Sequence, residues 1–323
     1  MMKTLFTPMG TGNRQSLPPL AAVGGKGRSL YWLATNGFPV PPTWVLSTAS
    51  FDLTVEQAKL EGAIAVIEKT IDGLLTDDWA AAQRAVEALE PQRSTVVKAL
   101  RRAAITNRVG AALTDLPLEP IQWAVRSSAT VEDNARYSFA GQFFTLLSVP
   151  RGRSVWDAIR QVWASNFKRE VLLYCAQNKA PQPRMAVILQ PMAPVSALDR
   201  SGVAFSHSPV PTLPGVLIQA AFGTGQTVVE GYGGDLYAVQ GKEVKIQPMP
   251  PPHIRITGPA GDTVPEPPPT GLALTEEEAR ELADLVLAVA DRWGAAVNIE
   301  FIWQAGEGPT LVQVRPDTRF PAA

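Results

Sequence analysis

Residues 121–149 read IQWAVRSSATVEDNARYSFAGQFFTLLSV. An apolar run, a polar loop and a second apolar run follow one another, the pattern of strand, loop and strand. Arg126 closes the first run, with Ser127, Ser128 and Thr130 beside it. A guanidinium so placed can fork onto phosphate oxygens among hydroxyls; it equally suits an arginine ion-paired at a strand end. The SFAGQ turn ends in Gly141 and Gln142. A small glycine-bearing turn of this kind can approach a polyphosphate closely.

Upstream, residues 21–27 read AAVGGKG and lead into SLYWLATNGF. Leu30, Leu33 and Ala34 sit at helical spacing and Gly37 suits a helix C-cap, so the spacing predicts a Gly-rich turn opening a short helix. The turn offers backbone N–H groups, a helix dipole and the Lys26 ammonium to an anion, although such turns are also common without one. A Pro-punctuated stretch then leads to a short strand at Trp44–Leu46. Residues 50–114 are Ala-, Glu- and Leu-rich with one proline, and predict several helices, among them 78–89 and 94–105. Ser154 through Cys175 predicts helix again, with Ser154 and Asp157 as a capping box and Ile159, Val162, Trp163 and Phe167 on one face.

Downstream, RMAVILQPM at 184–192 is a short apolar run that fits a buried strand. SGVAFSHSP, GVLIQAAFG and LYAVQG are further strand candidates. Nine prolines fall in 248–269, which predicts a long loop. Thr275 and Glu278 form a T-x-x-E cap on a helix running to about Trp293, with Ala279, Leu282, Val286 and Val289 on its apolar face. Two strands, Ala296–Trp303 and Thr310–Val314, close the chain around a glycine-containing turn. Asn298 and Glu300 lie two apart on one strand and so share a face; Gln313 and Arg315 do the same on the next. Oxygen ligands beside an amide and a guanidinium suit Mg²⁺ bridging phosphates, and a solvated sheet face would carry the same residues.

The composition limits the alternatives. Over 323 residues, 29 Lys+Arg against 30 Asp+Glu leave a net charge of −1, and hydrophobic residues make up 46%. That balance suits a large apolar core and argues against a bulk nucleic-acid or acidic-membrane binder. One cysteine, Cys175, excludes an intrachain disulfide and a multi-cysteine metal site. No apolar stretch approaches the ~18 residues of a membrane span, and the first ten residues lack a signal-peptide core, so the expected location is the cytoplasm. There is no G-x-x-x-x-G-K-[ST], no complete G-x-G-x-x-G, no G-x-S-x-G and no H-E-x-x-H. His207 and His253 are the only histidines.

Taken in order, VGGKGRSLYWLATNGFPVPPTWVLST, WAVRSSATVEDNARYSFAGQ, the VWASNF helix, AVILQPM, SGVAFSHSP, IQAAFGTGQTVVEG and VNIEFIW…LVQVRP resemble the nucleotide-binding domain of phosphoenolpyruvate synthase and pyruvate phosphate dikinase, also present in rifampin phosphotransferase. The resemblance spans almost the whole chain. It implies an α+β, two-lobed ATP-grasp fold that clamps ATP between an N-terminal lobe, 1–189, and a C-terminal lobe, 190–323, with a hinge near 190–193. It implies that Lys26 and Arg126 hold the phosphates and that Gly141 and Gln142 lie in the loop closing over them. Gln190 and Met192 would flank adenine at the hinge. Glu300 would ligate Mg²⁺ with Gln313 alongside, and Arg315 would stabilise the transferring phosphoryl group.

Four features depart from the family pattern, one of them the proline-rich composition of the 248–269 segment. Asn298 stands where the family usually has Asp, which keeps an oxygen ligand but removes a charge. Gln219 and Gln226 replace two Glu residues of the family's I-E-A-A-W-G-L-G-E run; both can still hydrogen-bond hydroxyls. The family's swivelling domain, with its G-G-x-x-S-H carrier histidine, has no counterpart here; His207 lies in FSHSP without the glycines. The expectation is therefore a stand-alone domain that passes a phosphoryl or pyrophosphoryl group to a histidine on a separate carrier or acceptor protein, or to a small molecule. The alternatives are a nucleotide-binding module without turnover and, last, a ligase that activates a carboxylate.

Overall fold

The protein is seen in a computed structural model that describes residues 6–8, 17–74, 78–114, 116–117, 122–131, 142–192, 194–229, 231–258 and 263–320. The fold is α+β, and the chain groups by contact into two units. Of the described residues, one holds 6–8, 17–28 and Pro42–Met192; the other holds Ser29–Pro41 and those beyond Ala193.

In the first unit, β1 (Phe6–Pro8) and the start of α1 (Leu20–Thr35), whose residues from Ser29 on belong to the second unit, precede β2 (Trp44–Leu46). The helix starts earlier than its glycines suggest. The Pro19 carbonyl accepts from the Ala22 and Val23 N–H groups, so a turn is already wound before Gly24. Gly24, at φ 71° and ψ 176°, breaks the helix without ending it. The predicted turn is thus a kink inside α1. Gly37 caps the far end as expected: at φ 81° its N–H reaches the Ala34 carbonyl while the Phe38 N–H reaches Leu33.

Helices α2 (Thr48–Gln57), α3 (Glu61–Gly73), α4 (Trp79–Ala88), α5 (Glu90–Arg102) and α6 (Asn107–Thr114) fill the Ala/Leu-rich region. The lone proline there, Pro91, sits in the first turn of α5, where it costs no hydrogen bond; the helix therefore begins before residue 94. Strands β3 (Gln122–Ala129) and β4 (Thr145–Pro150) flank a loop whose residues 132–141 lie outside the described residues.

The stretch 154–175 divides into α7 (Arg153–Ser165) and α8 (Arg169–Asn178). Ser154 does not cap: Gly152 takes the N-cap position with no side-chain cap bond, and Asp157 pairs with Arg160 one turn on. An i,i+3 arginine competes for the carboxylate that a capping box would have used.

Strand β5 (Met185–Met192) completes an antiparallel sheet in the order β1-β2-β5-β3-β4. Odd-numbered residues of β3 and β5, including Trp123, Val125, Val187 and Leu189, join the helices in one core with Ile67, Val96, Trp163 and Phe167. Trp163 meets Phe51 and Trp156 edge-on at 5.9 and 5.5 Å. Cys175 is buried in this core, and burial pushes its thiol up to about 12, so it packs as a small hydrophobe.

The second unit is a six-stranded antiparallel sheet in the order β13-β12-β6-β7-β8-β9, formed by β6 (Arg200–Phe205), β7 (Val216–Phe222), β8 (Asp235–Gln240), β9 (Glu243–Gln247), β12 (Val297–Trp303) and β13 (Pro309–Pro316). A short helix, α9 (Gln226–Val229), follows β7.

The proline-rich region is not one loop. It contains a hairpin of β10 (Ile254–Thr257) and β11 (Thr263–Glu266), with residues 259–262 between them outside the described residues. A two-stranded ribbon consists only of edges, so Pro265 is tolerated opposite Arg255. Helix α10 (Glu276–Trp293) carries the predicted capping box in full, with Thr275 and Glu278 bonded reciprocally. Its buried Ala279, Leu282, Val286 and Val289 cover the sheet face that carries Ala204, Ile218, Tyr237 and Ile299. The stretch around the end of α1 adds to this unit: Leu311 N–H donates to the Pro39 carbonyl, and Trp32 meets Trp293 edge-on at 4.5 Å.

No helix among the described residues is long and apolar enough to cross a membrane.

Candidate functional site

In the first unit, strand alternation turns the even residues of β3 and β5 away from the helical core. Arg126 lies opposite Ile188, and Gln190 lies two pairs along, opposite Ala124. Their side chains meet across that diagonal: Arg126 Nη1 donates to Gln190 Oε1 at 3.3 Å. Gln190 Nε2 donates in turn to Thr43 Oγ1 at 3.0 Å. Both Arg126 and Gln190 are under 10% exposed, so this chain fixes a guanidinium in a partly dry wall.

The α1 kink is fastened to the same strand. Ser128 Oγ accepts from the Gly27 N–H at 2.9 Å and donates to the Val23 carbonyl at 2.6 Å. Ser128 therefore caps the restarted helix from a position 101 residues away, the service an N-cap residue gives locally. A Cβ on Gly24 would fall on the Ser128 carbonyl oxygen, so only glycine lets the helix lie this close. Lys26 Nζ lies 3.4 Å from Ser127 Oγ. Met192, at the end of β5, accepts the Ser148 N–H at its sulfur at 3.2 Å. Gln142 is half-buried before β4, and Gly141 lies outside the described residues.

In the second unit the register settles which residues share a face. Asn298 pairs with Arg315 and Glu300 with Gln313. Across β6, Glu300 pairs with Val203, and Val203 with Gln219. Gln313, Glu300, Val203 and Gln219 thus form one row, with Arg315, Asn298 and Phe205 in the next, on the face opposite α10. Asn298 and Gln313 are buried, while Glu300 and Arg315 are half-buried. Arg315 Nε donates to Asn298 Oδ1 at 3.4 Å.

Two residues that the motifs do not mark belong to this face: Phe205, and Arg319, whose guanidinium lies 4.9 Å from the Phe205 ring. Asp317 holds Arg319 in place with a paired contact at 2.7 and 2.8 Å. Burial alone would raise the Asp317 pKa. Hydrogen bonds from the Arg319 side chain and backbone, with the charges of Arg319 and Arg315, outweigh it and hold the carboxyl below its ordinary value.

The FGTGQT turn supplies two more polar groups. Thr224 and Thr227 are buried, and their hydroxyls have no partner among the described residues. His207 is exposed beside Ser206, and His253 lies against Tyr232.

The donor sets differ in kind. Lys26 and Arg126 suit an anion. Glu300, Asn298 and Gln313 offer oxygens with a single carboxylate, and no group of three or more His, Cys, Asp or Glu stands together among the described residues. A protein-only metal cage is therefore not what these residues make. They fit Mg²⁺ that keeps water and phosphate oxygens as its other ligands, its usual habit with nucleotides.

Comparison with known proteins agrees with the order of these motifs. Residues 20–323 match the pyruvate phosphate dikinase AMP/ATP-binding domain. The chain is 29% identical over 312 residues to a "Probable phosphoenolpyruvate synthase" of Methanothermobacter thermautotrophicus, covering 93% of this chain and 44% of that protein. It is 29% identical over 345 residues to the phosphoenolpyruvate synthase of Aeropyrum pernix, covering 93% and 41%. It is 27% identical over 309 residues to the prodigiosin synthesizing transferase PigC of Serratia marcescens, covering 91% and 32%. The chain thus spans less than half the length of each of these relatives. With its motifs matched from α1 to β13, the chain belongs to the pyruvate phosphate dikinase AMP/ATP-binding domain family, an ATP-grasp, ATP-binding domain of phosphotransferases.

Proposed function

We propose that this chain binds Mg·ATP and donates a phosphoryl or pyrophosphoryl group to an acceptor outside these 323 residues, either a histidine or a small molecule. The observation that carries the reading is the polar row of the second unit, where Glu300, Gln313 and Gln219 share one face with Arg315 and Asn298. The relatives' names, phosphoenolpyruvate synthase and prodigiosin synthesizing transferase, support group transfer and leave the acceptor open.

Lys26 and Arg126 neutralise phosphate charge, and Gln190 keeps Arg126 in one rotamer. Gln142, with Gly141, borders the phosphates, and Gln190 and Met192 flank adenine. Gln219 takes the ribose hydroxyls. Glu300, Asn298 and Gln313 supply oxygens to Mg²⁺, and Arg315 faces the group in transfer. Held by these oxygens, Mg²⁺ would offset the negative charge that develops on the phosphates. Phosphoryl transfer asks little covalent chemistry of a protein; it asks for positioning and fixed charge, which these side chains supply.

The second reading, a nucleotide-binding module without turnover, is favoured by one observation: Asn298, already accepting from Arg315, brings no charge to the metal set. Phosphorus NMR of the chain with Mg·ATP separates the two. Group transfer yields AMP or ADP above the level of a Glu300→Gln variant, slowly with water and faster with an acceptor. Equal product from both proteins, or none from either, overturns the transfer reading.

A further inference from the structure

A cavity of about 940 Å³ lies in the first unit, where the end of α5 and α6 meet the start of β3 and α7. It stands apart from the residues assigned above. Trp123 lines it, and Trp123 points to the helical side of β3 while Arg126 points to the other. The volume is in the range of small-molecule sites.

The wall has a consistent character. Ile105, Leu113, Val155 and Trp156 make it apolar. Arg102, Arg151, Arg153 and Arg160 also line it, and no carboxylate does so among the described residues. The first three arginines are exposed at the rim. Arg160 is set deeper. Its Nη1 donates to the Ala103 carbonyl at 3.0 Å, its Nη2 pairs with Asp157, and the guanidinium sits 5.9 Å from the Trp156 ring. Two further N–H groups of the wall, Arg160 Nε and Trp123 Nε1, are buried with no acceptor among the described residues. Asp157 neutralises Arg160, so the interior offers unused hydrogen-bond donors while the exposed Arg102, Arg151 and Arg153 carry the positive charge at the rim. An apolar wall with unused donors inside it and a cationic rim is complementary to a molecule with an apolar body and one negative charge.

We propose that this cavity binds a small amphipathic carboxylate. The apolar body would lie against Ile105, Leu113 and Trp156, and the carboxylate would face the arginines.

The test uses decanoate and its neutral counterpart decanol, titrated calorimetrically into the 323-residue chain. Gly110 lines the cavity in the middle of α6, and a Cβ there meets Ile105 only at ordinary contact, 3.7 Å. Gly110→Leu therefore fills the space without removing a charge. Gly62→Leu is the matched control: Gly62 lies in α3 with nothing within 4 Å of a Cβ. Decanoate is expected to bind the parent and Gly62→Leu equally, to bind Gly110→Leu at least about tenfold more weakly, and to bind the parent about tenfold better than decanol does. If Gly110→Leu melts below the parent, the exposed pair Arg151→Gln/Arg153→Gln takes its place, with decanoate weakened about fivefold and decanol unchanged. The rise in melting temperature given by Mg·ATP should survive in every variant, which keeps this outcome separate from the nucleotide reading. No decanoate binding to the parent, equal binding to Gly110→Leu, or decanol binding as tightly as decanoate would overturn the proposal.

Discussion

Arg126, Gln190 and Thr43 are joined across sequence separations of 64 and 147 residues, and Gly27 and Ser128 across 101. On β12 and β13 the polar side chains are joined across 17, by strands that follow one another in the chain. The first cluster is thus held by contacts between distant segments, each side chain serving as another's partner. The second is set out largely by a hairpin register, and its charged residues Glu300 and Arg315 are only half-buried. It follows that substitutions in the first cluster should disturb stability and activity together, and that substitutions in the second should separate them.

The largest expected effect breaks that comparison open. Arg126→Ala and Glu300→Gln should each lower phosphotransfer by about 10²–10³, the usual loss when one preorganised charge or donor is removed from such a site. Arg126→Ala should also lower stability by about 1–3 kcal/mol, because the buried Gln190 Oε1 loses a donor. Glu300→Gln should melt within about 1 °C of the parent, since a half-buried carboxylate is exchanged for an amide of the same shape. Equal destabilisation by the two would erase the distinction.

Next in size is the kink of α1. Gly24→Ala places a Cβ on the Ser128 carbonyl and forces a positive φ, so it should cost more than about 2 kcal/mol and drive β3 and the helix apart. Gly37→Ala shares the positive φ but meets nothing within 4 Å, so only about 1 kcal/mol is expected. Chemical denaturation of both reads the difference. Similar losses would mean that the close approach to Ser128 contributes nothing.

The smallest effect lies at the end of the second cluster. Asp317 has a lowered pKa, so its stabilising contribution is complete above the ordinary carboxylate value of about 4 and disappears as pH falls through its lower folded value. Asp317→Asn should melt below the parent at pH 7, and the gap should close only below about pH 4. A gap that stays constant to pH 2 would show that the Asp317–Arg319 pair is not what the substitution removes.

The two clusters also differ in how far the sequence discloses them. Two-residue spacing on a strand follows directly from backbone pleating, so the amino-acid order alone puts Asn298 with Glu300, and Gln313 with Arg315, on shared faces. The capping box of α10 is equally legible, because its two partners are three residues apart. The bond from Gly27 to Ser128, and the one from Gln190 to Thr43, have no local periodicity and are visible only once the sheet is assembled. The same limit hides Arg319: its place over Phe205 depends on Asp317 turning the chain back after β13. Where local signals compete, the sequence misleads. Ser154 and Asp157 have capping spacing, but Arg160 claims the carboxylate. The prolines of 248–269 suggest a loop, yet an isolated ribbon tolerates proline at an edge.

Thermal unfolding of the chain with and without Mg·ATP tests the central claim most directly, because a ligand that binds only the folded state stabilises it by mass action. Mg·ATP at 100 times its dissociation constant should add about 2.7 kcal/mol, with a smaller gain when EDTA removes the metal and a smaller gain in both Arg126→Ala and Glu300→Gln. An unchanged melting temperature at millimolar Mg·ATP would contradict the account.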